Sequence, residues 1–156
     1  MLTNTLILVR GLPGSAKSTL AKKLAPQANF AADDFFTDEA GNYNFDPSLI
    51  RQAHESCQSR TQTAMLDKEP VIAVHNTFSK AWEAKPYFAL AERFGYSIFV
   101  VECQNDFGNI HGVPDHVIQR MRERWEPLRG ELVPLWTTIK IRFWDWYYAT
   151  KRRLRS

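Results

Sequence analysis

Short apolar runs alternate along this chain with longer stretches in which apolar residues recur at three- and four-residue spacing. Thr5 to Arg10, Val71 to Val74 and Ile98 to Val101 read as buried strands, being brief, β-branched or leucine-rich, and bounded by polar residues. A shorter strand, Asn29 to Ala32, runs straight into Asp33-Asp34-Phe35-Phe36. Between the strands the spacing predicts helices over Lys17 to Leu24, stopped near Pro26, and over Ser48 to about Leu66, opened by Asp46 as N-cap and Pro47 in the first turn. A third helix runs from Lys80 to Phe94, with Ser79 as cap, Pro86 as a kink and Gly95 as the stop. A fourth runs from Pro114 through Arg124 and ends before Pro127. Thr37 to Phe45 and Gln104 to Gly112 are polar and read as loops, and the alternation in Thr138 to Phe143 predicts a last edge strand.

Strands alternating with helices are the βαβ pattern of a mainly parallel sheet covered on both faces, a three-layer α/β/α sandwich. In such a sheet the loops after the strands gather along one edge. The segments after the first three strands, Gly11 to Thr19, Asp33-Asp34 and His75-Asn76-Thr77, are therefore expected to meet in one cleft. Residues 1–130 form the domain, and 131–156 form an aromatic and basic extension packed on it or extending it. No internal repeat or low-complexity segment interrupts this order.

Composition narrows the picture. With 156 residues, 44% apolar and 24% charged, the chain is long enough for one domain with a core and too apolar for a disordered tail. Cys57 and Cys103 suit free thiols in a reducing compartment better than a disulfide framework. No 18-residue apolar stretch and no signal-peptide pattern is present, which predicts a soluble cytoplasmic protein with no membrane partner. The net charge of +3 is mild, but the last six residues, Lys151 to Ser156, carry four positive side chains.

Gly11-Leu12-Pro13-Gly14-Ser15-Ala16-Lys17-Ser18-Thr19 concentrates the chemistry. It matches G-x-x-x-x-G-K-[ST] except for Ala16 at the second glycine. Between a strand and a helix, backbone N–H groups of such a turn surround a phosphate and the helix N-terminus adds partial positive charge. Lys17 would reach the β- and γ-phosphates of ATP, and the Ser18 hydroxyl would join the shell of a magnesium ion. If position 16 requires positive φ, alanine there weakens the site. The plain alternative is a strand-helix turn rich in small residues.

Asp33 and Asp34 are candidates for orienting the nucleophile; Asp33 is favoured as the base, Asp34 as a structural or metal-shell partner contacting substrate. Asn76 and Thr77 could bind the acceptor or hold Asp33 in place, and His75 suits a structural role. Arg120 and Arg124, four apart on one helix face, could cover the transferring phosphoryl group or form a solvated face, with Arg122 pointing elsewhere. His111 is a second lid candidate. The aromatic stretch Phe143 to Tyr148 leads into the basic tail, a pairing that binds single-stranded nucleic acid or packs its rings on the core.

The set Gly11 to Thr19, Asp33-Asp34-Phe35-Phe36, Tyr43 to Leu49, Ala53-His54, Asn76-Thr77, Trp82-Glu83, Lys85-Pro86-Tyr87, Gly95-Tyr96 and Asn109 to Pro114 resembles the P-loop kinase-like ATP-binding proteins of phages and bacteria. More distantly it resembles the 5′-hydroxyl kinase domain of phage polynucleotide kinase. The likeness covers about residues 5 to 127. It implies a P-loop NTPase fold with a short lid and ATP and magnesium as cofactors. By that likeness Asp33 would be the base that activates a 5′-hydroxyl. The chain departs from the polynucleotide kinases in having Phe36 in place of an arginine, Asn76 in place of an aspartate, and no arginine in the short loop from Gln104 to His111. An ATP- and magnesium-dependent polynucleotide 5′-hydroxyl kinase is the leading expectation. A small-molecule kinase and an ATP-binding adaptor with little catalysis are the rivals.

Overall fold

The alternation becomes a five-stranded sheet in a computed structural model, which describes residues 4–108, 112–128 and 138–141, the last four by backbone alone. The elements in chain order are β1 (Thr5–Arg10), α1 (Lys17–Leu24), β2 (Asn29–Phe30), α2 (Ile50–Leu66), β3 (Val71–Asn76), α3 (Ala81–Phe94), β4 (Ser97–Cys103), α4 (Asp115–Glu123) and β5 (Thr138–Ile141). The strand order is β2-β3-β1-β4-β5 and every pairing is parallel. β5 runs along the edge beside β4, with Val100 opposite Thr138.

Successive residues of the central strands serve opposite layers. Leu6 and Leu8, with Ile72, Val74 and Val100, pack with Cys57 and Met65 of α2 and Tyr87 of α3. Val9, Ala73 and Val101 pack with Leu20 and Ala21 of α1 on the other face. Such two-sided burial is why these strands read as continuous apolar runs. Each fully buried leucine or isoleucine contributes about 1.5–3 kcal/mol from area removed from water.

The register fixes what reaches the functional edge. Arg10 stands between Asn76 of β3 and Glu102 of β4, so the last row of the central sheet is polar and the turn after β1 leaves from its middle.

Several local expectations change. β2 stops at Phe30, and Ala32–Phe36 forms a 3-10 helix in its place. The long second helix starts at Ile50, because Asp46 first closes a separate 3-10 turn over Pro47–Leu49, accepting from the Ser48 backbone N–H at 2.8 Å. Ser79 does not cap α3. Lys80 holds the N-cap position, with its N–H donating to Glu83 at 2.9 Å, and the Ala81 N–H donates to Glu126 from beyond α4 at 2.8 Å. Gly95 ends α3 at φ 70, the left-handed conformation its identity predicted. Among the described residues no helix is long and apolar enough to cross a membrane.

Candidate active site

The loop from Gly11 to Ala16 leaves β1 and re-enters as α1 at Lys17. Two glycines in it are required by contact. A Cβ on Gly11 would lie 2.3 Å from the Ser15 hydroxyl oxygen, and one on Gly14 would lie 2.4 Å from the carbonyl oxygen of Gly108. Gly14 also has φ 82. Its carbonyl accepts from the Phe107 N–H at 2.8 Å, so the loop after β4 closes one flank. Ala16 has φ 65 and ψ 27 at the N-cap of α1. The second glycine of the motif serves this left-handed position, and alanine holds it at a cost of about 1–2 kcal/mol.

The first-turn N–H groups of α1 have no helical acceptor, and this is where an anion is stabilised. Ser15 is buried with its hydroxyl lacking a hydrogen-bond partner. Lys17 folds back to donate to the Leu12 carbonyl at 2.9 Å, and burial holds its ammonium down to about 8, against the opposing pull of Asp33. Ser18 and Thr19 are exposed, and the Ser18 hydroxyl lies 3.3 Å from His75 Nδ1. Burial lowers His75 to about 4, so this ring is neutral near pH 7.

The adjacent aspartates part ways on their 3-10 turn. Asp34 accepts from the Ala31 N–H at 2.8 Å and from Arg60 of α2 at 2.9 Å, while Arg60 also donates to the Ala31 carbonyl at 2.7 Å. Asp34 therefore pins the turn to α2. Asp33 is exposed and its carboxylate has no hydrogen bond or ion pair among the described residues, yet its charge acts on both Lys17 and Tyr43. Asn76 supports the turn from below: its side-chain oxygen accepts from the Ala32 N–H at 2.9 Å, one residue before Asp33. Thr77 comes next in the chain, half-buried.

Arg10 is the residue that sequence reading missed most completely. It is fully buried. One guanidinium nitrogen meets Glu102 at 3.5 Å, and the other donates to the carbonyls of Phe78 and, at 2.9 Å, Glu126. The plane lies 4.0 Å from the Trp125 ring centre. One side chain thus joins β4, the loop after β3 and the segment after α4, directly before the phosphate loop. An arginine closing an otherwise apolar strand at Gly11 was the available signal.

The arginines of α4 are distributed differently from expectation. Arg124 donates to the Ser79 hydroxyl at 3.0 Å and braces the loop before α3. Arg120 is exposed. It is Arg122 that lines a cavity of about 610 Å³ with Leu12, Pro13, Gln104, Asp106 and Ile118, beside the phosphate loop. The sequence reading gave Arg122 no part in the site. His111, the aromatic stretch Phe143 to Tyr148 and the basic tail Lys151 to Ser156 lie outside the described residues.

A family model described as AAA domain matches residues 6–128. Human NEDD4-binding protein 2 is 37% identical over 134 residues, covering 78% of this chain and 8% of that protein, so the chain spans only a small part of this relative. The gluconokinase of Sinorhizobium meliloti 1021 shares the fold with TM-score 0.56 at 15% identity, over 90% of this chain and 83% of that one. Kti12 of Chaetomium thermophilum, solved in complex with ADP-AlF3, shares it with TM-score 0.62 at 11% identity, over 88% and 89%. Parallel sheet, phosphate-loop geometry and these likenesses agree: the chain belongs to the AAA domain family and has a P-loop α/β fold.

Proposed function

We propose that this protein is an ATP- and magnesium-dependent phosphotransferase acting on the 5′-hydroxyl of a polynucleotide. The observation that carries the reading is the division between the paired aspartates. Asp34 is consumed by the turn that presents Asp33, and Asp33 is left uncommitted within electrostatic reach of Lys17.

The loop fits a triphosphate. Its orphaned buried Ser15 hydroxyl, the free N–H groups opening α1 and the Lys17 ammonium are the donors phosphates need. Gly11, Pro13, Gly14 and Ala16 shape the cradle, and Thr19 continues it into α1. Magnesium would arrive with the phosphates and take Ser18 as its protein ligand, neutralising charge on the transferring group. Lys17 stabilises that group, and Asp33 accepts the acceptor's proton. Asn76 and Thr77 border the acceptor side, with Asp34 holding the turn. Arg120 and Arg124 are proposed for the lid, and His111 as a further lid residue. The basic aromatic C-terminus is proposed to hold single-stranded nucleic acid.

A small-molecule acceptor is the second reading, favoured by the cavity of about 610 Å³ beside Leu12 and Pro13, a size that encloses a nucleoside. Labelled γ-phosphate from ATP, offered to 5′-hydroxyl oligonucleotides and to free nucleosides, decides between the two. Label on the oligonucleotide, absent with Lys17→Ala, supports the proposal. Label on nucleosides alone selects the second reading, and ATP binding without transfer selects an adaptor.

A further inference from the structure

The loop Thr37–Phe45 lies beside the uncommitted Asp33 and exposes aromatic rings that neither the phosphate loop nor the fold explains. Phe36 is buried and acts as a hub. Phe35, Tyr43 and Phe45 meet it edge-on, at 5.5, 6.3 and 5.0 Å between ring centres. These three are 39%, 37% and 53% exposed. Rings left in water at one spot mark a contact surface more often than a packing accident.

The rings are also held in place before anything binds. Thr37 and Tyr43 form an antiparallel bridge, and the Asn44 N–H donates to the Phe36 carbonyl at 2.8 Å. Inside the loop the Asp38 carboxylate accepts from the N–H groups of Ala40 and Asn42 at 2.9 and 2.8 Å and from the Asn42 side chain at 3.0 Å. Those donors pull the Asp38 carboxyl below its ordinary value. A loop fixed by its own hydrogen bonds presents its rings with little ordering entropy left to lose.

Position decides the occupant. Asp33, the proposed base, shares the 3-10 helix Ala32–Phe36 with Phe35 and Phe36, so the ring cluster begins two residues from the group that would activate the acceptor hydroxyl. We propose that Phe35, Tyr43 and Phe45 form a stacking platform for the base of the acceptor's hydroxyl-bearing nucleotide. This rests on the phosphotransferase reading and narrows it: the acceptor end must carry an unstacked base. Stacking reads the face of a base and not its edge, so purines and pyrimidines are both accepted.

The test is fluorescence anisotropy with 3′-labelled single-stranded oligonucleotides that end in a 5′-hydroxyl adenosine or in a 5′-hydroxyl abasic sugar. The wild-type chain should bind the adenosine end about tenfold more tightly, the scale of one base–aromatic stack. Phe45→Ala should erase that preference while ATP affinity stays unchanged, and Phe45→Leu should restore little of it. The abasic arm needs no variant and so is independent of any folding defect. Equal binding of the two ends, with γ-phosphate still transferred from ATP to both, overturns the platform and leaves the phosphotransferase reading standing. Absence of both binding and transfer for either oligonucleotide overturns the two together.

Discussion

The turn after β1 and the turn after β2 leave the same edge of the parallel sheet but are built in opposite ways. The first is made by backbone: Gly11 and Gly14 admit close approach, Ala16 takes a left-handed φ, and Phe107 ties the loop shut. Its chemistry is in N–H groups and one lysine. The second is made by side chains: Asp34, Arg60 and Asn76 hold a 3-10 helix so that one carboxylate, Asp33, stays free. A site for a fixed ligand part, a triphosphate, tolerates a rigid backbone cradle. A site for an acceptor needs one unspent group presented by others that are spent.

The sharpest way to break the contrast is at Arg10, which touches neighbours of both turns. Arg10→Met removes a buried cation and strands Glu102, and should destabilise the fold by about 3–5 kcal/mol, read as a lowered midpoint in urea. Arg10→Lys should recover only part, because it cannot reach Phe78, Glu126 and Glu102 together. Next, Lys17→Ala should cut phosphoryl transfer by about 10²–10³ while leaving the unfolding midpoint nearly unchanged. On the other turn, Asp34→Ala should cost about 1 kcal/mol in the same urea titration, chiefly the lost turn hydrogen bond, since the ion pair to Arg60 is half-exposed and worth little. Ala16→Gly should stabilise by about 1 kcal/mol and tighten ATP binding, because glycine holds φ 65 without strain.

The smallest effect concerns the two buried thiols. Burial pushes the Cys103 thiol up to about 11 and raises Cys57 as well. A raised thiol pKa means less thiolate at any given pH below it. Alkylation of the folded chain at pH 8 should therefore be slow at both cysteines and accelerate as pH rises toward 11 or as the chain unfolds.

The phosphate loop and the α/β layering were legible because both are local. Leu6 to Val9 declare a strand buried on two faces, and Lys17-Ser18 mark where the turn becomes a helix. The left-handed φ at position 16 was left conditional, since a sequence shows an alanine and not its dihedral. Asp33 and Asp34 were legible as a pair, but the partner that separates them, Arg60, comes from α2 and is visible only once the helices pack. Arg10, Ser79 and Glu126 were hidden for the same reason. Each makes contacts across tens of residues, and a polar residue's local pattern does not name a distant partner. Ser79 looked like a cap by type and position, yet Glu126 reaches the Ala81 N–H from beyond α4 and Ser79 turns to Arg124.

The most direct test of the division between the aspartates is single-turnover transfer of labelled γ-phosphate from magnesium-ATP to a 5′-hydroxyl oligonucleotide, comparing Asp33→Asn with Asp34→Asn at matched ATP saturation. A base that takes the acceptor's proton predicts a loss of about 10²–10⁴ for Asp33→Asn with ATP affinity intact. Asp34→Asn should transfer at a rate near wild type once folded. Equal rates for Asp33→Asn and wild type, or a larger loss at Asp34 than at Asp33, would contradict the assignment.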